Sequence, residues 1–521
     1  MKKKCNRFVG DLLVELRCFF DFIKSNIWLT VFALFCITLS YGIKLVYFDF
    51  SIDTENYIVN YNEKSIQWKV LDRPGLIALK KIFNGHYLNI FVANYMTYLI
   101  WLISILIICF MLTRMYKQKS KISSFIFVAI FSTSPIIAEQ FSFVLQSLEV
   151  SLGILFVIIS ILFIYYYFKY NNKIFLLVAT LLNAYAFSIY QSLVPAYVAL
   201  SVISVVLFLS NNRLTENSIS FKKYLLRTTP YILVLIISYT FTKLFIKVVN
   251  MISGLTSANI LNQAQTWGKL PNVEIFHRIY NDIKNVVIPS GNYFFNYSFF
   301  FIIICILLIS FVQLAKREKN LTLITFSLFI LFLLPFVMTF YLGWSGAIRA
   351  QMPLYQIVVG FLFYYSFENI TNNYFKILFF AFTSIFTFQQ IQNSSNLLMS
   401  EHMRYQEDVS TLKEIDSRIN NLGISDKSKY SICFVGTKSI NNPLNIRGET
   451  LGISLFELGV TQTNTSTGRA TELLNILGKP YVKPTNEVIQ EAIVDSEKMG
   501  IWPSTDSVKI DKDNIIVKLS N

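Results

Sequence analysis

Charge is what this sequence has least of. Only 15% of its 521 residues are Asp, Glu, Lys or Arg, where a soluble globular chain carries about a quarter. With 54% apolar residues and a mean hydropathy of +0.50, that shortfall excludes a soluble enzyme and requires long stretches that never meet water. Histidine is scarce too: His86, His277 and His402 stand far apart, which argues against a His-rich zinc site. The six cysteines form no framework. Cys5 and Cys18 precede the first apolar run, Cys36, Cys109 and Cys305 lie within such runs, and Cys433 is alone near the end, so neither a disulfide scaffold nor a CxxC metal site is expected. Nucleotide loops are missing as well, because Gly448, Gly452 and Gly459 lack GxGxxG or P-loop spacing. No internal repeat stands out, which removes the signature of many secondary transporters.

What is present is a succession of apolar runs, and a bilayer crossing needs about 20 such residues. Eleven candidates fall at roughly 27–47, 90–112, 122–138, 151–168, 174–190, 192–210, 229–247, 297–315, 321–341, 353–367 and 374–390. The expected fold class is therefore mostly α, a polytopic membrane protein with about 11 transmembrane helices, its partner being the lipid bilayer. The net charge of +15 does not point to nucleic acid: residues 391–521 hold 14 basic against 16 acidic residues, leaving 32 against 15 for residues 1–390. Basic residues in short connections mark the cytoplasmic side. Lys2, Lys3, Lys4, Arg7, Arg17 and Lys24 precede the first run, Arg114, Lys117, Lys119 and Lys121 follow the second, Arg213, Lys222, Lys223 and Arg227 follow the sixth, and Lys316, Arg317 and Lys319 follow the eighth. All fall on one side. The N-terminus is then cytoplasmic, and segments 48–89, 139–150, 248–296 and 342–352, with the tail from about 391, face outward.

Three regions follow. In residues 1–26, Phe8, Val9, Leu12, Leu13, Leu16, Phe19, Phe20 and Ile23 recur on one helical face, with Asp11, Glu15, Arg17 and Lys24 largely elsewhere. This pattern suits a helix lying in the cytoplasmic interface; a cytosolic extension of the first span is the alternative. Residues 27–390 hold the spans, the first of which is expected to stay as an anchor. Residues 391–521 change character: 400–421 is charged and helix-compatible, 430–436 reads as a buried strand, and 508–510 and 515–519 as closing strands around Asp511-Lys-Asp-Asn514. A small extracytoplasmic α/β domain fits.

The chemistry-bearing residues sit at the outer ends of the runs. In Phe48-Asp-Phe-Ser-Ile-Asp-Thr-Glu-Asn-Tyr57, Asp53 and Glu55 lie among aromatics just beyond the first span. Carboxylates in a partly desolvated cleft can serve as a general base, and in extended chain this spacing points both to one side. The alternative is a merely solvated acidic face. Trp68 and Arg73 follow in the same loop, and arginine suits a phosphate oxygen pair; local pairing of Asp72 with Arg73 is the competing reading. In Tyr341-Leu-Gly-Trp-Ser-Gly-Ala-Ile-Arg-Ala-Gln-Met-Pro353, Gly343 and Gly346 leave room beside Arg349, a second phosphate candidate, since an arginine near membrane depth is costly unless paired or facing a wet cavity. Tyr190 and Gln191 could hydrogen-bond a sugar or satisfy one another. Within 248–296, Trp267, His277 and Arg278 belong to a mixture of aromatic, amide and charge that suits a sugar-binding lid or ordinary loop packing. Glu139 and Glu149 are alternative bases, and nothing local supports a Ser/His/Asp triad.

An interfacial helix, one span, an acidic pair in the first outer loop, further spans and an outer C-terminal domain together resemble the GT-C class of polyprenyl-phosphate-sugar-dependent glycosyltransferases. More narrowly, Ser51-Ile-Asp-Thr-Glu55 with Arg73 downstream, and Met499-Gly-Ile-Trp-Pro-Ser504 through Ile515-Ile-Val-Lys-Leu519, are similar to the Gtr type II glucosyltransferase family. That resemblance implies transfer of a hexose, glucose foremost, from a polyprenyl-phosphate carrier to a polysaccharide acceptor outside a bacterial cytoplasmic membrane. It implies inversion by single displacement, Asp53 as base, and Glu55 as a second acid that orients the acceptor or assists through a metal. A divalent cation, Mg or Mn, stays open. A donor-synthesising glycosyltransferase and a flippase would supply the carrier. Arg73 and Arg349 are placed on the phosphate by physical argument. A flippase or transporter of lipid-linked sugars would instead concentrate ionisable residues deep in several runs, and a polysaccharide polymerase or ligase would concentrate function in a large loop between late spans. Neither accounts as simply for the first-loop acids.

Overall fold

The computed structural model describes residues 2–521 except 52, 84–86, 215–218, 259, 317–319, 425 and 459–465. Ile52 of the first-loop motif, His86, Arg317, Lys319 and Gly459 thus lie outside the described residues. Six described helices are long and apolar enough to cross a membrane: Ile90–Met115, Ser147–Tyr170, Leu193–Asn212, Phe221–Ser253, Ser298–Ala315 and Leu321–Leu342. At 1.5 Å per residue the first of these is about 39 Å long, ample for a hydrocarbon core of about 30 Å. Two bent helix pairs bring the number to eight if each is one span. The run at 174–190 forms the shorter helix Ile174–Ile189, and those at 353–367 and 374–390 fall within helices Ile348–Asn369 and Asn373–Asn421.

The breaks have local causes. The expected run 122–138 divides into Ile122–Ser132 and Pro135–Ser142, bent by 51°. A residue before proline is driven toward extended backbone, and Ser134 is extended at ψ 136°; Pro135 then opens the second helix where no N–H is needed. At the N-terminus Lys2–Ser25 is helical and turns by 77° into Ile27–Tyr41. Glu15, expected away from the apolar face, turns toward the bundle. Glu15 is buried and takes Lys169 at 2.5 Å, Arg114 at 3.1 Å and the Tyr170 hydroxyl at 2.6 Å, while Val9, Leu13, Leu16 and Phe20 are exposed. The helix is hooked to the bundle by charge, because three donors from two other helices compensate one buried carboxylate.

The loop expected at 48–89 contains three short helices, Thr54–Val59, Tyr61–Val70 and Pro74–Ile82, so the extended geometry inferred for Asp53 and Glu55 is wrong. The chain turns at Asp53, which adopts the left-handed conformation at φ 66°, one that aspartate tolerates better than most residues. Glu55 follows inside the helix, and residues two apart on a helix do not share a face.

Toward the C-terminus, Asn373–Asn421 is a single 49-residue helix running through residue 391. Its far half supplies Leu412, Ile415 and Ile419 to a separate core built on a three-stranded sheet of order β1-β3-β2, with β1 Ser431–Val435, β2 Val508–Asp511 and β3 Asn514–Lys518. β1 pairs parallel to β3, Ser431 opposite Asn514, and β2 pairs antiparallel to it, Asp511 opposite Asn514. Side chains alternate as strand geometry requires: Ile432, Phe434, Ile515 and Val517 meet the long helix and helix Thr467–Ile476, while Cys433, Val435 and Ile516 meet Ala492 and Met499. The sheet is thus covered on both faces, which suits a continuous apolar run such as β1. Helix Thr54–Val59 rests on Thr467–Ile476, where Asn56 donates to Glu472 at 2.9 Å, and so joins the first loop to this smaller unit.

Candidate functional site

A cavity of about 680 Å³ opens where the first loop meets the ends of several long helices. Its wall includes Asp53, Trp68, Arg73, Tyr190, Gln191 and Arg349, six of the residues singled out from sequence. Asp53 precedes the first short helix and is half-exposed, with Lys64 Nζ 3.2 Å from its carboxylate. Lys64 and Trp68 are one helical turn apart on Tyr61–Val70 and therefore share a face; Trp68 is buried against Tyr57, ring centroids 5.5 Å apart.

Arg73 stands directly before Pro74, at the start of the third short helix. Its guanidinium donates to Gln146 Oε1 at 3.0 Å and lies 4.9 Å from the centre of the Tyr190 ring. Tyr190 and Gln191 come from the turn between Ile174–Ile189 and Leu193–Asn212, and the Tyr190 ring is engaged by Arg73 in a cation–π stack. No described ion pair involves Arg73. Withdrawal from bulk water pulls its pKa down, Tyr190 opposes the shift, and the positive charge of Arg349 adds to it; the two cations therefore feel each other across the cavity. Arg349 lies over Phe143 at 4.7 Å and donates from Nη1 to Glu449 Oε1 at 2.5 Å.

Lys64, Gln146, Lys243 and Trp344 also line the cavity and were not singled out as site residues. Lys243 reaches Asp72 at 3.7 Å, so Asp72 does not pair with its neighbour Arg73. Trp344 is fixed by donating to the carbonyl of Ala264 at 2.8 Å. Gly343, at φ 79°, provides close approach rather than open space: a side chain there would strike Thr266 and Ile275. The described lining carries four cations, Lys64, Arg73, Lys243 and Arg349, against two acids, Asp53 and Asp72. Such a wall favours an anion, and a cavity of this volume beside aromatic rings can hold a sugar.

Other candidates lie elsewhere. Glu55 is buried outside the described lining; burial pushes its carboxyl pKa up, and Arg469 and Arg404 pull against that shift. Trp267 donates to the Phe340 carbonyl at 2.9 Å. His277 is exposed, and Arg278 pairs with Glu274 at 2.6 Å one turn away on the exposed surface of Asn272–Val287. Glu139 is bound by Tyr293 and Thr450, and Glu149 by Lys80 at 2.9 Å. Among the described residues, no three or more His, Cys, Asp or Glu side chains converge as a metal site would require.

Comparison with known proteins adds one result. No curated protein and no solved structure matches the chain. The model of the family described as glucosyl transferase GtrII matches residues 42–367, a stretch that spans the first loop and every residue of the described cavity wall. The chain therefore belongs to the glucosyl transferase GtrII family and is a glucosyltransferase.

Proposed function

We propose that the chain is an inverting GT-C glycosyltransferase that moves glucose from a polyprenyl-phosphate carrier to a surface polysaccharide such as an O-antigen, on the outer face of a bacterial cytoplasmic membrane. The observation that carries this reading is Arg73, a guanidinium withdrawn from bulk water without a carboxylate among the described residues, beside a cavity that also presents Arg349. A cation so placed is costly until an anion reaches it. The orientation rests on the one-sided distribution of Lys and Arg in the short connections. The carrier, undecaprenyl phosphate in bacteria, would be charged by a donor-synthesising glycosyltransferase and brought outward by a flippase.

In this reading Asp53 accepts the proton of the acceptor hydroxyl as its oxygen bonds to the anomeric carbon. The bond from that carbon to the phosphate oxygen breaks on the opposite face, and polyprenyl phosphate leaves with the electron pair. Lys64 holds the Asp53 carboxylate in place from 3.2 Å. Arg73 and Arg349 meet the growing charge on the leaving phosphate, where preoriented donors in a water-poor site act most strongly. The described donor set does not fit a resident divalent cation, and no step runs through one.

The test is Asp53→Asn in purified protein reconstituted in lipid, given labelled donor and acceptor polysaccharide. Transfer is expected to fall by a factor of at least about 100, the span of general-base contributions, with donor binding retained, and the wild-type product is expected to have the inverted anomeric configuration. Unchanged turnover in folded Asp53→Asn, or retention of configuration, would overturn the mechanism.

A further inference from the structure

The family match ends at residue 367, yet one wall of the cavity is held from beyond it. Segment 447–452 leaves the smaller unit and reaches back to the helical bundle. There Glu449 Oε2 accepts the backbone N–H of Ile348 at 2.7 Å, its Oε1 accepts Nη1 of Arg349 at 2.5 Å, and so one carboxylate fixes both the first turn of Ile348–Asn369 and the side chain that faces the cavity. An anion at a helix N-terminus is favoured by the orphan N–H groups there.

The segment itself is pinned on both sides of Glu449. Asn292 donates to the Arg447 carbonyl at 2.7 Å, the Glu449 N–H donates to the Tyr293 hydroxyl at 2.5 Å, and the Thr450 N–H donates to Glu139 Oε1 at 2.7 Å. The Tyr293 hydroxyl donates in turn to Glu139. Gly448 has no alternative at this spot, because any side chain would run into the Tyr293 hydroxyl and the Glu139 carboxylate. A surface ion pair needs no such anchoring; a side chain that must point one way does.

We propose that Glu449 is a positioning residue for transfer: it holds Arg349 at the cavity wall in the orientation that receives the donor phosphate, so the site is completed by a segment outside the matched family region. This inference rests on the reading of Arg349 as a phosphate ligand. A guanidinium has five N–H donors, so the bond from Nη1 to Glu449 leaves capacity for a second anion.

The experiment compares donor KM, acceptor KM and kcat for wild type, Arg349→Ala, Glu449→Ala, Glu449→Gln and the double Ala variant, with thermal unfolding of each. Arg349→Ala is expected to raise donor KM by about 10-fold or more, the loss of one charged hydrogen bond. Glu449→Ala should raise donor KM with acceptor KM unmoved, and Glu449→Gln, which keeps a carbonyl acceptor, should recover most of the loss. The double variant should lie within about twofold of Arg349→Ala, as expected when one residue acts through the other. Effects that multiply in the double variant, a shift in acceptor KM instead, or lost stability with unchanged donor KM would overturn the role of Glu449 while leaving Arg349 in place. An unchanged donor KM in Arg349→Ala would remove the phosphate reading itself, and this inference with it.

Discussion

Arg73→Met separates a binding role from a structural one, because the two roles have different consequences for stability. In the resting protein the guanidinium has one hydrogen bond to Gln146 and a stack on Tyr190. Losing them costs about 1 kcal/mol for the hydrogen bond and about 2 kcal/mol for a desolvated cation–π contact. Arg73 is half-buried, so removing a guanidinium without a described carboxylate returns only part of a buried ion's desolvation cost, about 1–3 kcal/mol, and cavity water can serve Gln146 in its place. The net change in stability is therefore expected to be near zero or slightly unfavourable. Donor use should respond quite differently. A hydrogen bond to a charged group contributes about 1.5–3 kcal/mol, which at about 1.4 kcal/mol per decade lowers kcat/KM for the lipid donor by roughly 10- to 150-fold. Protein in lipid nanodiscs would give both quantities, from initial rates against donor concentration and from thermal unfolding. A variant that unfolds several degrees earlier while keeping kcat/KM within about twofold would refute the argument and make Arg73 a structural residue.

Three further outcomes follow from the same geometry. Burial raises the Glu55 pKa above its unfolded value, so the folded state binds the proton more tightly and stability falls as pH rises from the ordinary carboxylate range toward the folded pKa; Glu55→Gln should therefore gain stability relative to wild type at pH 8 and little at pH 4, measured by thermal unfolding, and equal differences at both would contradict it. Because Glu55 is outside the described cavity lining, the same variant should keep far more transfer activity than Asp53→Asn in the labelled-donor assay. Glu15→Ala leaves Lys169 and Arg114 without their carboxylate, and because both are about a third exposed it should cost about 1–3 kcal/mol, less than a fully buried ion pair, seen as earlier unfolding and faster proteolysis within residues 2–25.

The parts of the molecule that were legible in sequence are those with local causes. The strand expected at 430–436 forms at Ser431–Val435, and the turn expected around Asp511-Lys-Asp-Asn514 joins β2 to β3, because short apolar runs bounded by turn residues need no distant information. Arg73 stood out as a phosphate-type cation in the first loop, Arg349 as an arginine near membrane depth, where it is expensive without a purpose, and Tyr190 and Gln191 as polar groups at the end of an apolar run; all four line one cavity. Composition alone could not separate such residues from Trp267, His277 and Arg278: an exposed helix with a Glu274–Arg278 pair has the same mixture of aromatic and charge as a sugar-binding loop. The acidic pair was misread because one residue in the left-handed conformation, Asp53, changes an extended chain into a helix start. Lys64 could be matched to Trp68 only once their helix was known, and the contact of Glu449 with Arg349 spans 100 positions and leaves no trace in local pattern.

The most direct measurement offers the purified wild-type protein, in lipid, labelled glucose on polyprenyl phosphate and, separately, labelled glucose on a nucleotide diphosphate, each with an acceptor polysaccharide. The proposed role of Arg73 and Arg349 as ligands of a lipid-borne phosphate predicts transfer from the first donor and none from the second. Transfer from the nucleotide sugar, or none from the lipid donor by folded protein, would contradict the account.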